Sequence, residues 1–445
     1  MAPKRKAAAK APAEEPAVKE AKTEEPAKEP KEEPAVAKEA EAEEPKEKEK
    51  DDKKDTRAQI KEAVCFHSID TTLNVVPTTD GRVLMAMSDG GMQFLIAGAR
   101  ANVGVKSGRY YYEVKVIEAL TPMEGRNNAG RGRVPMPRQL VRIGFSVAGS
   151  SLILGDGSDG CVCFDSEGFY FAEKKRTPAS TRFGRDQAIG VLLNLDQASP
   201  NANTVSIFVN GQRTSEPMPL PEKLKGQPLF PHVSYRNVSL QVNFGPCPVT
   251  PLPFKCRTLQ EAAAADVKEV KAEKPKDGKF EVLFPVAFPD EGTFDWLDDF
   301  LEKHPNYVEI SDRSIQDWAV KSGIWKPKSN SWKNSNDKPE YNFGLQLMDD
   351  LSIRRCINSM ISVVPRNYVI MEVKQNLTQA ERKHNLKRFK APHFKKIAHV
   401  VMGEPPAKYK EKLHAKLIEE KQSKAEVEWK MRKLEKERKK AIAQR

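Results

Sequence analysis

The sequence has none of the long apolar segments that membrane and secreted proteins need. No run of about 18 apolar residues, the length that crosses a bilayer, occurs in the 445 residues, so no membrane-spanning helix is expected. The N-terminus lacks the apolar core of a signal peptide, so secretion is not expected either. Only 7% of the residues are aromatic, and 31% are charged. This balance predicts folded domains joined to solvated segments rather than one compact body.

Cysteine is scarce, and its spacing argues against a metal centre. The 6 cysteines form no CxxC pair, so a zinc site is not expected and no cofactor is predicted. Cys161 and Cys163 lie two apart in a strand-like run and are predicted to be buried thiols, which fits a reducing compartment.

Motifs of known enzyme classes are also missing. The 7 histidines show no HExxH spacing, and no GxSxG turn is present. His232, in the segment FPHV, is predicted to be a packed strand residue rather than a general base. The pair Asp298 and Asp299 is expected on an exposed helix face. We therefore predict that the chain has no catalytic residues.

The net charge of +12 is concentrated at one end of the chain. Residues 1–55 contain 14 Lys/Arg and 17 Asp/Glu, whereas residues 374–445 contain 22 Lys/Arg and 9 Asp/Glu. A polyanionic partner at the C-terminal end is one interpretation, and a solvated, charge-rich helix is the other.

Residues 1–58 consist mainly of Ala, Pro, Glu and Lys. Such a composition cannot bury enough apolar surface to offset the entropy lost on ordering, so a disordered tail is predicted. The tail begins with a cluster of three basic residues, Lys4, Arg5 and Lys6. Clusters of this kind can act as nuclear localisation signals, although the motif is short.

Residues 62–256 show the period-two alternation of β-strands. Alternation runs from Tyr110 to Val116 and again through Val141, Ile143 and Phe145. Asn210-Gly211, a dipeptide favoured in type I′ hairpins, ends another strand. Many short strands at regular spacing predict an antiparallel β-sandwich.

This region resembles the SPRY domain family. The signatures occur in order over about 190 residues: GARANVGVKSGRYYYEVKV, VRIGFSV, FVNGQ and PLFPHVSYRNVSLQVNFG. The resemblance implies a bent two-sheet sandwich that binds protein partners through its loops, and it implies no catalysis.

One insertion between two predicted strands is rich in Arg and Gly. It carries Arg126, Arg131, Arg133 and Arg138 among Gly, Asn and Pro. Such a segment can contact nucleic-acid backbones, with Arg131 and Arg133 as candidates. The alternative is a mobile surface loop.

Residues 279–404, after a predicted linker at 257–278, alternate between strand and helix patterns. Strands are expected in KFEVLFPVAF, NYVEI, NYVIMEV and KIAHVVMG, with helices between them. This alternation predicts an α/β domain with a parallel sheet, in which ligands bind at the carboxyl ends of the strands.

The segment VAFPDEGTFDW lies where a phosphate-binding P-loop would lie, but the chemistry is missing. A working loop has the pattern GxxxxGK followed by Ser or Thr. Gly292 is retained, but Ala287 replaces the first Gly, Thr293 the Lys and Phe294 the hydroxyl residue. The acids Asp290 and Glu291 would repel a phosphate. In the later strand, Met371 occupies the position of the metal-holding acid. We therefore predict no productive binding of Mg-nucleotide.

The order of the two regions resembles heterogeneous nuclear ribonucleoprotein U and its like proteins, in which a SPRY domain precedes a polynucleotide-kinase-like P-loop domain. Val286, Pro289, Gly292 and Trp296 stay in register with that family's loop. The resemblance covers about residues 64–430. It implies association with RNA and with proteins, but no Arg-Gly-Gly tail, to which much of the family's RNA contact is assigned, follows here.

The densest nucleic-acid candidate is ERKHNLKRFKAPHFKK, residues 381–396. Its proposed phosphate contacts are Lys383, Lys387, Arg388, Lys390, Lys395 and Lys396. The interleaved Phe389, His393 and Phe394 could stack on unpaired bases. In the alternative interpretation, Leu386 and Phe389 pack on the sheet and the cations face water. For Phe389 the core interpretation is favoured.

Residues 405–445 predict one long, highly charged helix with a thin apolar seam. The helix is interpreted either as an extension that binds a partner or RNA, or as a solvated helix. Trp429 is predicted to be a docking contact rather than a base-stacking platform.

Together these patterns predict a nuclear, non-enzymatic scaffold in which the sandwich binds proteins and the basic C-terminal region binds RNA or DNA. A protein-interaction adaptor, for example a subunit of a chromatin-modifying complex, is the first alternative. A polynucleotide kinase with an unusual phosphate site is the second.

Overall fold

The computed structural model describes residues 47–52, 55–121, 139–271, 275–285, 295–323, 357–361, 363–371, 379–390, 392–395, 398–400 and 407–443. The predicted features that fall outside these residues include residues 1–46 of the tail with the basic cluster Lys4–Lys6, the Arg-Gly insertion with Arg131 and Arg133, the phosphate-loop positions Ala287–Phe294, and Lys396.

The first body is built from short strands. In chain order these are β1 (Phe66–Thr71), β2 (Val75–Pro77), β3 (Val83–Ala86), β4 (Ala97–Ala101), β5 (Val103–Val105), β6 (Arg109–Ala119), β7 (Leu140–Ser146), β8 (Cys161–Asp165), β9 (Phe169–Ala172), β10 (Lys175–Pro178), β11 (Ala188–Asn194), β12 (Thr204–Val209), β13 (Gln212–Arg213), β14 (Met218–Pro219), β15 (Phe230–Arg236), β16 (Val238–Asn243) and β17 (Val267–Glu269).

Two antiparallel sheets form the sandwich. One has the order β1-β4-β15-β7-β8-β9-β10, and the other has the order β13-β12-β11-β6-β16-β3-β2, with β14 beside β12. The predicted antiparallel β-sandwich is thus confirmed.

Both faces of the central strand β6 are covered. Tyr110, Tyr112 and Val114 point into the core between the sheets, as period two requires. Tyr111 points to the outer face, where it packs with Phe208 and Phe254. The sheet therefore has an outer surface that later segments of the chain cover.

The hairpin prediction at Asn210-Gly211 is confirmed. Val209 pairs with Gln212 across the two-residue loop, and both loop residues have positive φ, 51° and 81°. A type I′ turn requires this left-handed conformation at both positions. Cys161 and Cys163 are buried free thiols, as their spacing predicted.

The sandwich extends past its predicted end at residue 256. Leu259, Ala262 and Val267 are buried in the same core, and β17 pairs with β5. Part of the predicted linker 257–278 therefore belongs to the sandwich. The sequence did not indicate this, because the apolar residues of this segment are too widely spaced to show a strand pattern. Residues 47–52 and 55–57 also contact the sandwich.

The second body holds four parallel strands, β18 (Val282–Pro285), β19 (Tyr307–Ser311), β20 (Asn367–Met371) and β21 (Ala398–Val400). They are arranged in the order β19-β20-β18-β21. Helices α1 (Asp295–Lys303), α2 (Asp312–Lys321) and α3 (Gln379–Leu386) lie between them in the chain. The predicted parallel sheet with strand-helix alternation is confirmed.

A long helix, α4 (Ala407–Ala443), follows, as its composition predicted. Its apolar seam is exposed: Trp429 is 62% and Leu434 is 61% accessible. No described helix is both long enough and apolar enough to cross a membrane.

The two bodies share a hydrophobic core. Leu95 and Ile153 of the sandwich belong to the same buried cluster as Ile315 and Ile361 of the second body. Buried Arg366 donates to the carbonyls of Ser68 and Thr71, the latter at 2.8 Å. The basic segment described below is thus carried on a body that is packed against the sandwich.

Candidate nucleic-acid interface

Helix α3 and the turn after it carry three exposed lysines, Lys383, Lys387 and Lys390. Lys383 lies in α3, Lys387 follows one helical turn later with its amide bonded back to the carbonyls of Lys383 and His384, and Lys390 lies beyond the end of the helix. Among the described residues, none pairs with their ammonium groups. We call these three residues the lysine row.

Other residues of the same segment are anchored in the second body. Asn385 and Phe389 are buried, and Leu386 packs against the core. The backbone amides of Lys387 and Arg388 donate to carbonyls of the last helical turn, so helical hydrogen bonding continues for two residues past Leu386. Cations near a helix C-terminus also interact favourably with the helix dipole. The lysine row is therefore held on a fixed scaffold.

Phe389 and Phe394 belong to the core. Their ring centroids lie 5.2 Å apart. The ring centroid of Tyr368 lies 6.4 Å from that of Phe389 and 6.1 Å from that of Phe394. The core interpretation of Phe389 is confirmed. The expectation that Phe394 could stack on bases is wrong, because its ring is 8% accessible.

His393 is half-buried, and its Nε2 lies 3.0 Å from the carbonyl oxygen of Ile361. This contact ties the turn after α3 to the second body. The aromatic residues of the segment thus hold its shape, and the cations remain its surface chemistry.

Two further predicted cations are placed differently from the lysine row. Arg388 is half-buried, and its Nη1 has no hydrogen-bond partner among the described residues. Lys395 lies 2.9 Å from Glu281 and 3.7 Å from Asp277, and its hydrogen bond with Glu281 raises the pKa of Lys395. The positive charge of Lys395 is therefore largely offset by these two carboxylates. Lys396 lies outside the described residues.

The strand before residues 286–294 lies at a switch point of the parallel sheet. Strand β18 ends at Pro285 and lies between β20 and β21, where the strand order changes direction. Such switch points are where open α/β sheets bind ligands. At the end of neighbouring β20, Met371 is buried with Leu283 and Val369. The thioether of Met371 therefore lies in an apolar cluster at the end of β20. Within the described residues, no group of His, Cys, Asp and Glu could hold a metal ion.

His232 is fully buried in β15, as predicted for a packed strand residue. Its Nε2 lies 3.1 Å from the Leu152 carbonyl, which can only accept, so Nε2 carries the proton. Its Nδ1 accepts from the Ser146 hydroxyl at 2.8 Å, and Ser146 accepts from Arg100. Burial, with a smaller effect from Arg100, holds the pKa of His232 well below its usual value.

A second cationic surface, on the sandwich, has no counterpart in any sequence motif. Arg109 and Arg213 lie beside Phe254 and Phe208 on the outer face of the eight-stranded sheet, and Arg257 lies beside Tyr110. Acidic residues of the segments 47–52 and 55–57 pair with all three arginines. The three arginines are about 50 to 150 residues apart in the chain. Only the sheet topology brings them together, so no local pattern could have revealed them.

No family model matches the chain. Heterogeneous nuclear ribonucleoprotein U-like protein 2 of Mus musculus is 25% identical over 240 residues, which is 53% of this chain and 30% of that protein. The Homo sapiens protein of the same name is 24% identical over the same length. This chain is distantly similar to heterogeneous nuclear ribonucleoprotein U-like protein 2. The similarity spans about half of the chain and less than a third of the relative.

Other proteins match shorter parts of the chain. The ATP-dependent RNA helicase Ddx1 of Drosophila melanogaster is 29% identical over 149 residues, which is 33% of this chain and 17% of the helicase. Among solved structures, the SPRY domain of human HERC1 covers 40% of this chain at 16% identity, with a TM-score of 0.29. A human SPRY domain covers 38% at 19% identity, with a TM-score of 0.26.

Proposed function

We propose that this protein is a nuclear, non-enzymatic scaffold that associates with RNA. In this proposal the sandwich binds protein partners and the basic C-terminal region binds RNA or DNA. The similarity to a ribonucleoprotein supports the choice of RNA as the partner.

The observation that carries the proposal is the lysine row. Lys383, Lys387 and Lys390 are all exposed to the solvent, and no described carboxylate neutralises them. Ammonium groups bind phosphates with little sequence preference, and they release condensed counterions as they do so. Because the neighbouring aromatics are buried, base stacking contributes little at this segment. Binding should therefore be electrostatic, tolerant of sequence and strongly dependent on salt.

The absence of catalysis belongs to the same proposal. The loop positions Ala287, Thr293 and Phe294 lack the glycine, lysine and hydroxyl that hold a nucleotide phosphate. Met371 supplies no charge for a metal ion. The parallel-sheet body then acts as the support that presents the lysine row. Nuclear localisation is supported by the basic cluster Lys4, Arg5 and Lys6 together with the ribonucleoprotein similarity.

A salt-titrated affinity series with the full chain tests the proposal. Single- and double-stranded RNA and DNA of equal length are titrated by fluorescence anisotropy from about 50 to 300 mM salt. We expect RNA affinity to fall linearly on a logarithmic scale as salt rises. The full chain is used instead of a chain truncated after residue 373, because that truncation would remove Phe389 and Phe394 from the core of the second body.

Crosslinking to RNA in cells separates the scaffold from the adaptor alternative. A scaffold recovers RNA above background, and recovery should fall when the lysine row is reversed in charge. Background recovery together with weak, salt-insensitive binding in solution would support the protein-interaction adaptor instead.

A further inference from the structure

A charged segment lies on the outer face of the sandwich. We call residues 47–52 and 55–57 the strap. Its partners are Arg109, Asn194, Asn201, Arg213 and Arg257, which we call the arginine groove. Because Arg109 and Asn194 are paired across β6 and β11, the groove crosses at least two strands of the sheet.

Glu49 is the deepest residue of the strap, with a side chain only 1% accessible. Its carboxylate accepts from Arg109 Nη1 at 2.7 Å and from Asn201 Nδ2 at 2.9 Å. Asn194 Nδ2 donates to it at 3.2 Å. A buried carboxylate needs several donors to offset its lost hydration, and here three side chains supply them.

Glu47, Asp52 and Asp55 extend this recognition on both sides of Glu49. Glu47 lies 2.7 Å from Arg213, and Asp52 lies 2.7 Å from Arg109. Asp55 pairs with Arg257 at the far end. Each arginine is therefore matched by at least one carboxylate of the strap.

Each groove arginine also stacks on an aromatic ring. The guanidinium carbon of Arg109 lies 5.4 Å from the Phe254 ring centroid, that of Arg213 lies 4.8 Å from Phe208, and that of Arg257 lies 5.0 Å from Tyr110. A planar guanidinium held on an aromatic face presents its fork of donors in a fixed direction. The aromatic rings therefore orient the arginines of the groove for binding carboxylates.

The groove contacts alternate side chains of the strap. Glu47 and Glu49 point into it, whereas Lys48 and Lys50 are exposed. Alternation of this kind is what an extended chain produces. The strap therefore presents the carboxylates of Glu47 and Glu49 to the groove, and Lys48 between them pairs with Glu216.

The strap is attached only by polar contacts. Residues 47–52 contain no apolar side chain and form no strand pairing. In addition, the buried Nε of Arg109 has no hydrogen-bond partner among the described residues. Burial of apolar side chains therefore does not contribute to the attachment of residues 47–52. The Nε of Arg109 is a donor that a ligand with a suitably placed acceptor can use.

We propose that the arginine groove is a binding site for an extended acidic peptide of a partner protein, and that the strap occupies it in cis until such a peptide displaces it. This deepens the protein-binding part of the proposed function by naming the chemistry of the partner. A ligand with Glu or Asp at positions i, i+2 and i+5 fits the pattern of Glu47, Glu49 and Asp52.

The test uses the full chain with a neutralised strap, Glu47→Gln, Glu49→Gln and Asp52→Asn. The probe is a fluorescein-labelled peptide of residues 44–57, and the control peptide carries the same three substitutions. We expect the probe to bind the neutralised chain at least about tenfold more tightly than the wild type, because the wild-type groove is occupied. Adding Arg213→Gln to the neutralised chain should weaken probe binding, and the control peptide should not bind.

Absence of probe binding to a neutralised chain whose circular dichroism matches the wild type would overturn the proposal. Equal binding to the wild type would do the same, because it would place the probe elsewhere. Displacement of the probe by oligouridine RNA but not by unlabelled peptide would overturn the peptide assignment in favour of a nucleic-acid groove.

A second measurement keeps the native carboxylates, in case the neutralised chain does not fold. A spin label is attached at Lys50→Cys, an exposed strap position, in a Cys247→Ser background. Excess unlabelled peptide should make the label mobile, and unchanged mobility at saturating peptide would overturn the proposal. RNA affinity measured on the same proteins should not change. A failure of peptide binding can therefore be told apart from a failure of RNA binding.

Discussion

The indole Nε1 of Trp318 donates a hydrogen bond of 2.8 Å to the carbonyl oxygen of Ile96. Trp318 lies on α2 of the parallel-sheet body, and Ile96 immediately precedes β4 of the sandwich. The amide of Ile96 donates at 2.9 Å to the hydroxyl of Ser322, the residue that caps the same helix. Both backbone groups of Ile96 are thus satisfied by the other body, in the middle of a shared apolar cluster.

This junction predicts that the two bodies unfold together. Trp318→Phe should lower the free energy of unfolding by about 1–3 kcal/mol, because the buried Ile96 carbonyl loses its donor. Denaturant unfolding followed by circular dichroism should show one transition in both proteins. The matched control is Trp429→Phe, on the exposed face of α4, which should change stability by less than about 0.5 kcal/mol. Two separate transitions in the wild type would contradict a common unit.

A second prediction concerns acid sensitivity through His232. Its folded pKa lies well below the ordinary value of about 6.5, so below that pH the unfolded chain binds a proton that the folded chain does not. Stability is therefore complete above about pH 6.5 and falls as pH decreases, by up to about 1.4 kcal/mol per pH unit.

His232→Gln should remove this part of the pH dependence. Free energies of unfolding measured between about pH 7.5 and 5.5 give the two slopes. We expect the wild type to lose more stability than the variant across this interval. Parallel slopes would show that His232 is protonated in the folded state, or that another group dominates.

Local patterns predicted the elements of both bodies because those elements obey local rules. The alternation in β6 and the Asn210-Gly211 turn depend on residues close in sequence. The contacts between elements depend on residues far apart: Ile96 and Ser322 are separated by 226 positions. No periodicity could reveal that pair.

The strap has no local signal for a related reason. Its lysines and acids resemble the charged segment before it, and only the positions of Arg109 and Arg213 give Glu49 a buried place. The lysine row is easier to predict from sequence, since its members lie within eight residues of one another. The sequence could not show that Lys395 differs from the lysine row, because its carboxylate partner, Glu281, is more than 100 positions away in the chain.

A third prediction tests the lysine row directly. Lys383→Glu, Lys387→Glu and Lys390→Glu together should lower RNA affinity at least about tenfold and reduce the salt slope by about one for each phosphate that the variant no longer neutralises. Arg388 is left unchanged because it is half-buried. Reversal of three exposed lysines on the sandwich side, Lys106, Lys174 and Lys175, is the matched control and should have a much smaller effect.

Phe389→Leu serves as the companion variant. It should lower the free energy of unfolding by about 1–2 kcal/mol, because the Leu side chain fills less of the space beside Tyr368 and Phe394. Its RNA affinity should stay within about twofold of the wild type. A large loss of RNA affinity in a folded Phe389→Leu protein would mean that the ring contacts bases after all.

The fourth prediction is that the parallel-sheet body binds no Mg-nucleotide. Calorimetric titration of the full chain with Mg-ATP and Mg-GTP should give no binding heat, because Thr293 and Phe294 offer neither the ammonium nor the magnesium-binding hydroxyl of a P-loop. Asp290 and Glu291 add repulsion toward a phosphate.

Neutralising that repulsion provides the control. Asp290→Asn with Glu291→Gln removes the acids but restores neither the lysine nor the hydroxyl, so it should also remain without binding heat. Micromolar binding by the variant alone would show that acid repulsion was the main obstacle. Micromolar binding by the wild type, accompanied by transfer of labelled phosphate to a 5′-hydroxyl RNA, would contradict the non-enzymatic proposal and favour a kinase.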